Sequence, residues 1–182
     1  MKAWAEVPDD ELMLCFRDGD AAAFETLYDR YSDGIFGLCV NLLSDRVEAE
    51  DALQEVFVRV IDNRHRFEPR GQFRSWVYTV GRRVCLDRLR SVQRESAALQ
   101  ANPPELPATA QSGSSLARAD LERLLSTLPP EQREVLVLHR IYGFSHGEIA
   151  DMIGVSEAGV KQKAYRALKT LRSLVTEGTA RE

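Results

Sequence analysis

Near the C-terminus, a short run of side chains has the types and spacing needed to read a nucleic acid. Ala158, Gln162, Tyr165, Arg166 and Lys169 fall on one arc of a helical projection, flanked by Lys161 and Arg172. An amide such as Gln162 offers the paired donor and acceptor that match an adenine edge. Lys161 suits either guanine or a phosphate, and the later cations suit phosphate. The opposite arc, Val160, Ala164, Ala167, Leu168 and Leu171, is apolar. On composition alone the helix is equally an ordinary amphipathic one with a solvated basic face. The residues before it favour DNA. Ser145-His146-Gly147-Glu148 is a capping box that starts a preceding short helix with an apolar side of Ile149, Ala150 and Ile153. Gly154 stands where a tight turn needs positive φ, and Ser156 caps the basic helix. A capped helix, a glycine turn and a second capped helix form the layout of a helix-turn-helix. In this layout His146 is expected to be a surface residue rather than a ligand.

A second basic stretch, FRSWVYTVGRRVCLDRLRSVQR, begins at Phe73. Arg74, Tyr78 and Arg82 line up at i, i+4 and i+8, and Arg83, Asp87, Arg90 and Arg94 form a further row. Asp87 is spaced to brace both Arg83 and Arg90. Cations interleaved with an aromatic suit the backbone and bases of an unpaired strand. The alternatives are a solvated basic face, or pairing with acidic helices of the same domain. Phe73, Trp76, Val77, Val80 and Val84 share an apolar arc, which makes Trp76 core rather than a stacking platform.

The elements that must position these residues follow from composition. The 182 residues are 44% hydrophobic and 29% charged, with a net charge of −4 that conceals a strong asymmetry. Residues 1–63 carry 5 Lys and Arg against 15 Asp and Glu, whereas residues 64–94 carry 9 against 2. An acidic block beside a basic block points to two different partners. No apolar run approaches the roughly 20 residues of a membrane span, and the N-terminus lacks a signal-peptide pattern. A cytosolic chain without membrane insertion is expected. Cys15, Cys39 and Cys85 are widely spaced among apolar neighbours and read as reduced core thiols. No metal-spaced His/Cys cluster, phosphate-binding loop or nucleophile motif is present. The expectation is therefore no enzyme, no cofactor, no metal and no small-molecule substrate.

Residues 95–115, ESAALQANPPELPATAQSGSS, hold three prolines and no aromatic residue and read as a flexible linker. The expected fold is all-α, with two small helical domains at 1–94 and 116–182, the second a four-helix domain ending in the helix-turn-helix. In the first domain, Asp9 is placed to cap a helix through Phe16 that Gly19 ends. Helices are expected over about Asp20–Leu43 and Val47–Asn63, and from Gln72 onward. In the second, Pro129-Pro130 opens a helix packing through Val135, Leu138 and Ile141.

These blocks, in this order and with this linker, resemble the extracytoplasmic-function (ECF) sigma factors of bacteria over nearly the whole chain. Glu50-Asp51-Ala52-Leu53-Gln54-Glu55-Val56-Phe57 is similar to the family's core-polymerase-binding helix. Phe73-Arg74-Ser75-Trp76-Val77-Tyr78 followed by Asp87-Arg88-Leu89-Arg90 is similar to its promoter-melting and −10-reading helix. Leu128-Pro129-Pro130-Glu131-Gln132-Arg133-Glu134-Val135 and the helix-turn-helix resemble its −35 reader. The resemblance implies that Asp51, Gln54, Glu55 and Phe57 bind core RNA polymerase. It implies that the loop Glu68–Gln72 holds a flipped base, and that Arg70, Gln72, Arg74, Tyr78, Arg82, Arg83 and Arg90 contact −10 promoter DNA. It implies that Ser156, Ala158, Lys161, Gln162, Tyr165, Arg166 and Lys169 contact −35 DNA. An anti-sigma factor that masks one or both domains, and could tether the chain at a membrane, is a further implied partner. The chain departs from the family pattern at Gly81-Arg82-Arg83, where Ala-Arg-Asn is usual, and at His146-Gly147, where acidic or polar residues are frequent. It also has Gly159-Val160-Lys161-Gln162 where Thr-Val-Lys-Ser is usual, so a different −35 sequence is expected. A free-standing helix-turn-helix regulator and a sequestered, sigma-like interaction module are the competing readings.

Overall fold

The computed structural model describes residues 4–69, 72–99 and 123–179, which are helical with no strand among them. The chain divides into two compact units, Met1–Pro104 and Glu105–Glu182. Arg70 and most of the proposed linker lie outside the described residues.

The N-terminal unit contains α1 (Asp9–Arg17), α2 (Ala21–Leu43), α3 (Arg46–Asp62) and α4 (Phe73–Leu99), with 3-10 turns at Trp4–Glu6 and Arg64–Arg66. Helix α4 thus continues past Arg94, into the segment read as linker. Helices α2 and α3 each start where a short acid offers its carboxylate to free backbone donors. Asp20 accepts from Ala22 N at 3.0 Å, and Asp45 accepts from Val47 N and Glu48 N at 2.8 and 3.1 Å. Asp9 departs from the expectation. It is the first residue of α1, behind Pro8, and makes no cap. Its carboxylate instead accepts from the Arg30 guanidinium and the Tyr31 hydroxyl of α2. Burial, then that bond to Asp9, pushes the Tyr31 phenol above its usual range. Arg30 also donates to the carbonyls of Trp4 and Val7, both at 2.9 Å, which ties the N-terminus to α2.

The core of this unit is where α1, α2, α3 and α4 meet, and it holds Leu12, Met13, Leu27, Ile35, Leu38, Val56, Val60, Phe73 and Val77. Cys39 and Cys85 are buried thiols outside any disulfide, as expected, while Cys15 is only half-buried. Gly81 lies where α4 crosses α2. A Cβ there would meet Leu38 Cδ2 at 3.4 Å and Ile35 Cδ1 and Cγ2 at 3.6 Å, which is ordinary contact. Gly81→Ala is therefore expected to stabilise the unit by about 0.5–1 kcal/mol through lost unfolded-state freedom. A rise in the chemical denaturation midpoint checks this, and a fall would show that the helices cannot yield.

The C-terminal unit contains α5 (residues 123–126), then α6 (Pro130–Arg140), α7 (His146–Ile153) and α8 (Glu157–Thr179). Pro130 sits in the first turn of α6, where its missing N–H costs nothing. Val135, Val137, Leu138, Phe144, Ile149 and Val160 are fully or almost fully buried together with Leu128. Ile141 does not join them. Helix α6 ends at Arg140, and Ile141, at the cap, is largely exposed. Among the described residues, no helix is long and apolar enough to cross a membrane, and no His/Cys/Asp/Glu group could hold a metal ion.

Candidate nucleic-acid interface

The helix-turn-helix has the local geometry its sequence dictates. Ser145 Oγ accepts from Glu148 N at 3.2 Å while Glu148 Oε2 accepts from Ser145 N at 2.8 Å, which completes the capping box. Gly154 adopts φ 72°, in the left-handed region. Ser156 Oγ accepts from Gly159 N at 3.2 Å to start α8. A Cβ on Gly159 would approach that Oγ to 3.3 Å, so the glycine leaves room for the cap.

Helix α8 buries Val160, Ala164 and Ala167 and exposes Ser156, Ala158, Lys161, Gln162, Tyr165, Arg166 and Lys169. All seven residues of the −35 prediction are thus exposed, and Tyr165 is 66% exposed. Two lysines are engaged. Lys161 pairs with Glu157 at 2.7 Å one turn earlier, and Lys163 holds Glu131 of α6. The first pair is between exposed groups and exchanges readily for a phosphate. The second fixes α8 on α6.

His146 is half-buried rather than a free surface residue. Its ring stacks on His139 with centroids 4.3 Å apart, and His139 Nδ1 donates to the Phe144 carbonyl at 2.8 Å. Desolvation, then the neighbouring His139 and Lys161, depress the His146 pKa below its usual value. The pair closes the turn between α6 and α7.

On α4 the predicted basic rows divide. Arg74, Arg83 and Arg90 are exposed, Arg82 is half-buried, and Gln72 is exposed just before the helix. Tyr78 is not on this surface. It is 6% exposed, and desolvation raises its phenol pKa against the opposing charge of Arg74. As a buried side chain it is a core residue and offers no ring to a base. The reason is that α4 packs against α1, α2 and α3 at once, so its buried arc is wider than one apolar stripe. Trp76, half-buried, lies against Phe67 and Phe73 at 5.4 and 5.8 Å between centroids, the packing expected for a core side chain.

Asp87 pairs with Arg90 and with Arg59 of α3, each at 3.4 Å, rather than with both Arg83 and Arg90. Arg88 donates to Glu48 at 2.9 Å and to Glu55 at 3.2 Å. Part of the basic block is thus neutralised by acids of α3, one of the alternatives open from sequence.

The α3 residues also separate. Asp51 and Gln54 are exposed. Glu55 is held by Arg59 at 2.6 Å and by Arg88, so it braces α3 on α4 rather than standing free. Phe57 is 4% exposed, with its ring 4.6 Å from that of Tyr28 and 6.1 Å from that of Phe24. It belongs to the core between α2 and α3 and is not available to a partner. Sequence reasoning missed Val47 and Val58, which are 70% and 53% exposed. Spaced at i, i+4, i+7 and i+11, Val47, Asp51, Gln54 and Val58 form one outward stripe, apolar at both ends. The signal for Val58 was present, since helical period places it opposite the arc of Ala49, Leu53, Val56 and Val60.

Residues 27–95 match the Sigma-70 region 2 family and residues 118–171 the Sigma-70, region 4 family. The chain is 34% identical over 165 residues to RNA polymerase sigma factor CarQ of Myxococcus xanthus, covering 89% of this chain and 94% of that one. It is 31% identical over 171 residues to ECF RNA polymerase sigma factor SigM of Mycobacterium tuberculosis, covering 93% and 86%. The solved complex of sigma factor RpoE with anti-sigma factor NepR from Bartonella quintana shares the fold, with a TM-score of 0.73 and 24% identity, covering 84% of this chain and 96% of that one.

Proposed function

The chain belongs to the ECF RNA polymerase sigma factors, and from that premise we propose that it recruits core polymerase through α3 and reads two promoter elements with α4 and α8. The observation that carries this reading is one chain bearing two outward cationic helical surfaces on separate compact units, with an outward α3 stripe bearing Asp51 and Gln54. Cations suit phosphate, whereas an acidic and apolar stripe suits a basic protein surface.

In this mechanism Val47, Asp51, Gln54 and Val58 dock on the polymerase. Arg74, Arg82, Arg83 and Arg90 hold the backbone of the separated −10 strand, where charge rather than base identity supplies most of the affinity. Gln72, and Arg70 beyond the described residues, contact bases at the melted edge. Helix α8 enters the −35 major groove, with Lys161 and Gln162 early enough to reach base edges and Arg166 and Lys169 placed for phosphates. RNA synthesis belongs to the polymerase, so the chain itself is no enzyme. An anti-sigma factor, as NepR is for RpoE, would hold the chain inactive by covering these surfaces.

The test is core polymerase capture followed by permanganate reactivity of −10 thymines, which reports strand opening. Asp51→Lys with Gln54→Ala is expected to weaken core binding roughly ten-fold, about 1.4 kcal/mol, with an unchanged melting temperature. Undiminished capture would place the docking surface elsewhere.

A further inference from the structure

The Sigma-70 region 2 match begins at residue 27, which leaves α1 outside it. We propose that Asp10 of α1 is a positioning residue for −10 recognition. Its carboxylate fixes the N-terminus of α4, and with it the start of the DNA-facing surface. This rests on the reading of α4 as the −10 helix.

Helix α4 has no good cap of its own. Gln72 occupies the cap position, since its carbonyl accepts from Trp76 N at 2.9 Å, and glutamine does not cap well. The missing acceptor comes from 63 residues away, where Asp10 Oδ1 accepts from Phe73 N at 3.0 Å. A carboxylate there also complements the positive end of the helix. The neighbouring Asp9 completes a closed circuit. It holds the Tyr31 hydroxyl, the Tyr31 ring packs on Phe73 at 5.3 Å, and Phe73 is in turn held through its backbone by Asp10.

Phe73 is therefore locked on two sides. Its 1% exposed ring lies among Tyr31, Phe67 and Trp76, and its amide lies on Asp10. The residues on either side of it, Gln72 and Arg74, are the exposed ones that face a strand in this reading. Fixing Phe73 sets where they point. Without Asp10 the first turn of α4 frays, and the contacts that depend on its register loosen. The cations farther along α4 keep their places, so general DNA affinity survives while discrimination falls.

The experiment uses the full chain with core polymerase on promoters that share one −35 element and differ at single −10 positions. Asp10→Ala is expected to lower the ratio of transcription between matched and mismatched −10 elements about five-fold, while the −35 ratio and core capture hold. Asp10→Asn keeps an acceptor oxygen and is expected to restore most of the −10 ratio. In the free chain, hydrogen exchange at residues 73–76 is expected to speed up in Asp10→Ala and to slow again in Asp10→Asn. If activity on all promoters falls in proportion and the −10 ratio stays constant, Asp10 is purely structural and the inference is wrong. If the wild-type chain shows no −10 discrimination, the reading of α4 itself has failed, and the inference with it.

Discussion

Phe57→Ala is expected to destabilise the N-terminal unit by about 3–5 kcal/mol, the range for removing a buried aromatic ring. The Phe57 ring fills the seam between α2 and α3 against Tyr28 and Phe24. Truncation leaves a cavity in a seam whose other occupants, Val56 and Val60, are fully buried on the same helix and have little freedom to close it. Small domains have only about 5–15 kcal/mol of stability in total, so most of the margin is lost. Core polymerase binding falls as a result, but through unfolding. Urea denaturation followed by capture at a temperature where the variant is folded separates the two causes. A large drop in the denaturation midpoint and near-normal capture by the folded fraction are expected. Unchanged stability with lost capture would return Phe57 to the docking surface.

The second large effect concerns DNA. Lys161→Ala and Gln162→Ala are each expected to cost about 1–3 kcal/mol of −35 discrimination, the value of a good base-edge contact. Both side chains are exposed on the outer surface of α8 and away from its buried arc, so truncation spares the fold. The Lys161–Glu157 pair lost in the first variant joins two exposed groups and contributes little to stability. Transcription from promoters with a strong −35 element should fall toward the level of promoters without one, and −10 preferences should hold. The two losses are measured singly as well as together, because neighbours on one surface need not add. Equal activity across −35 variants in the wild-type chain would show that base reading lies on another helix.

What was legible in the sequence was what is local. The capping box at Ser145–Glu148, the left-handed Gly154 and the Ser156 cap are each complete within four residues. The arc of α8 follows from period alone because this helix buries one side only. What was not legible depends on contacts distant in sequence. Asp9 has the residue type and place of a cap, but Arg30 and Tyr31 offer its carboxylate stronger partners. Asp10 and Phe73 are 63 residues apart, and nothing in either neighbourhood announces the bond. Tyr78 was assigned outward because it lines up with Arg74 and Arg82, and Phe57 was given to the docking surface by resemblance alone. Both helices pack on more than one neighbour, and a helix enclosed on two sides hides residues at the edge of its apolar arc. Glu55 looked like a free acid of the docking helix for the same reason. Its partner Arg88 lies 33 residues on, across the α3–α4 seam.

The proposed role is that this chain gives core polymerase its promoter choice through α4 and α8 together. Reconstituted transcription tests it most directly, with purified chain, core polymerase and templates in which the −10 and −35 elements are altered separately. Specific initiation is expected only when chain and core are both present, and is expected to be lost on altering either element. A chain that binds duplex DNA tightly by itself yet never directs core polymerase to a start site would contradict it.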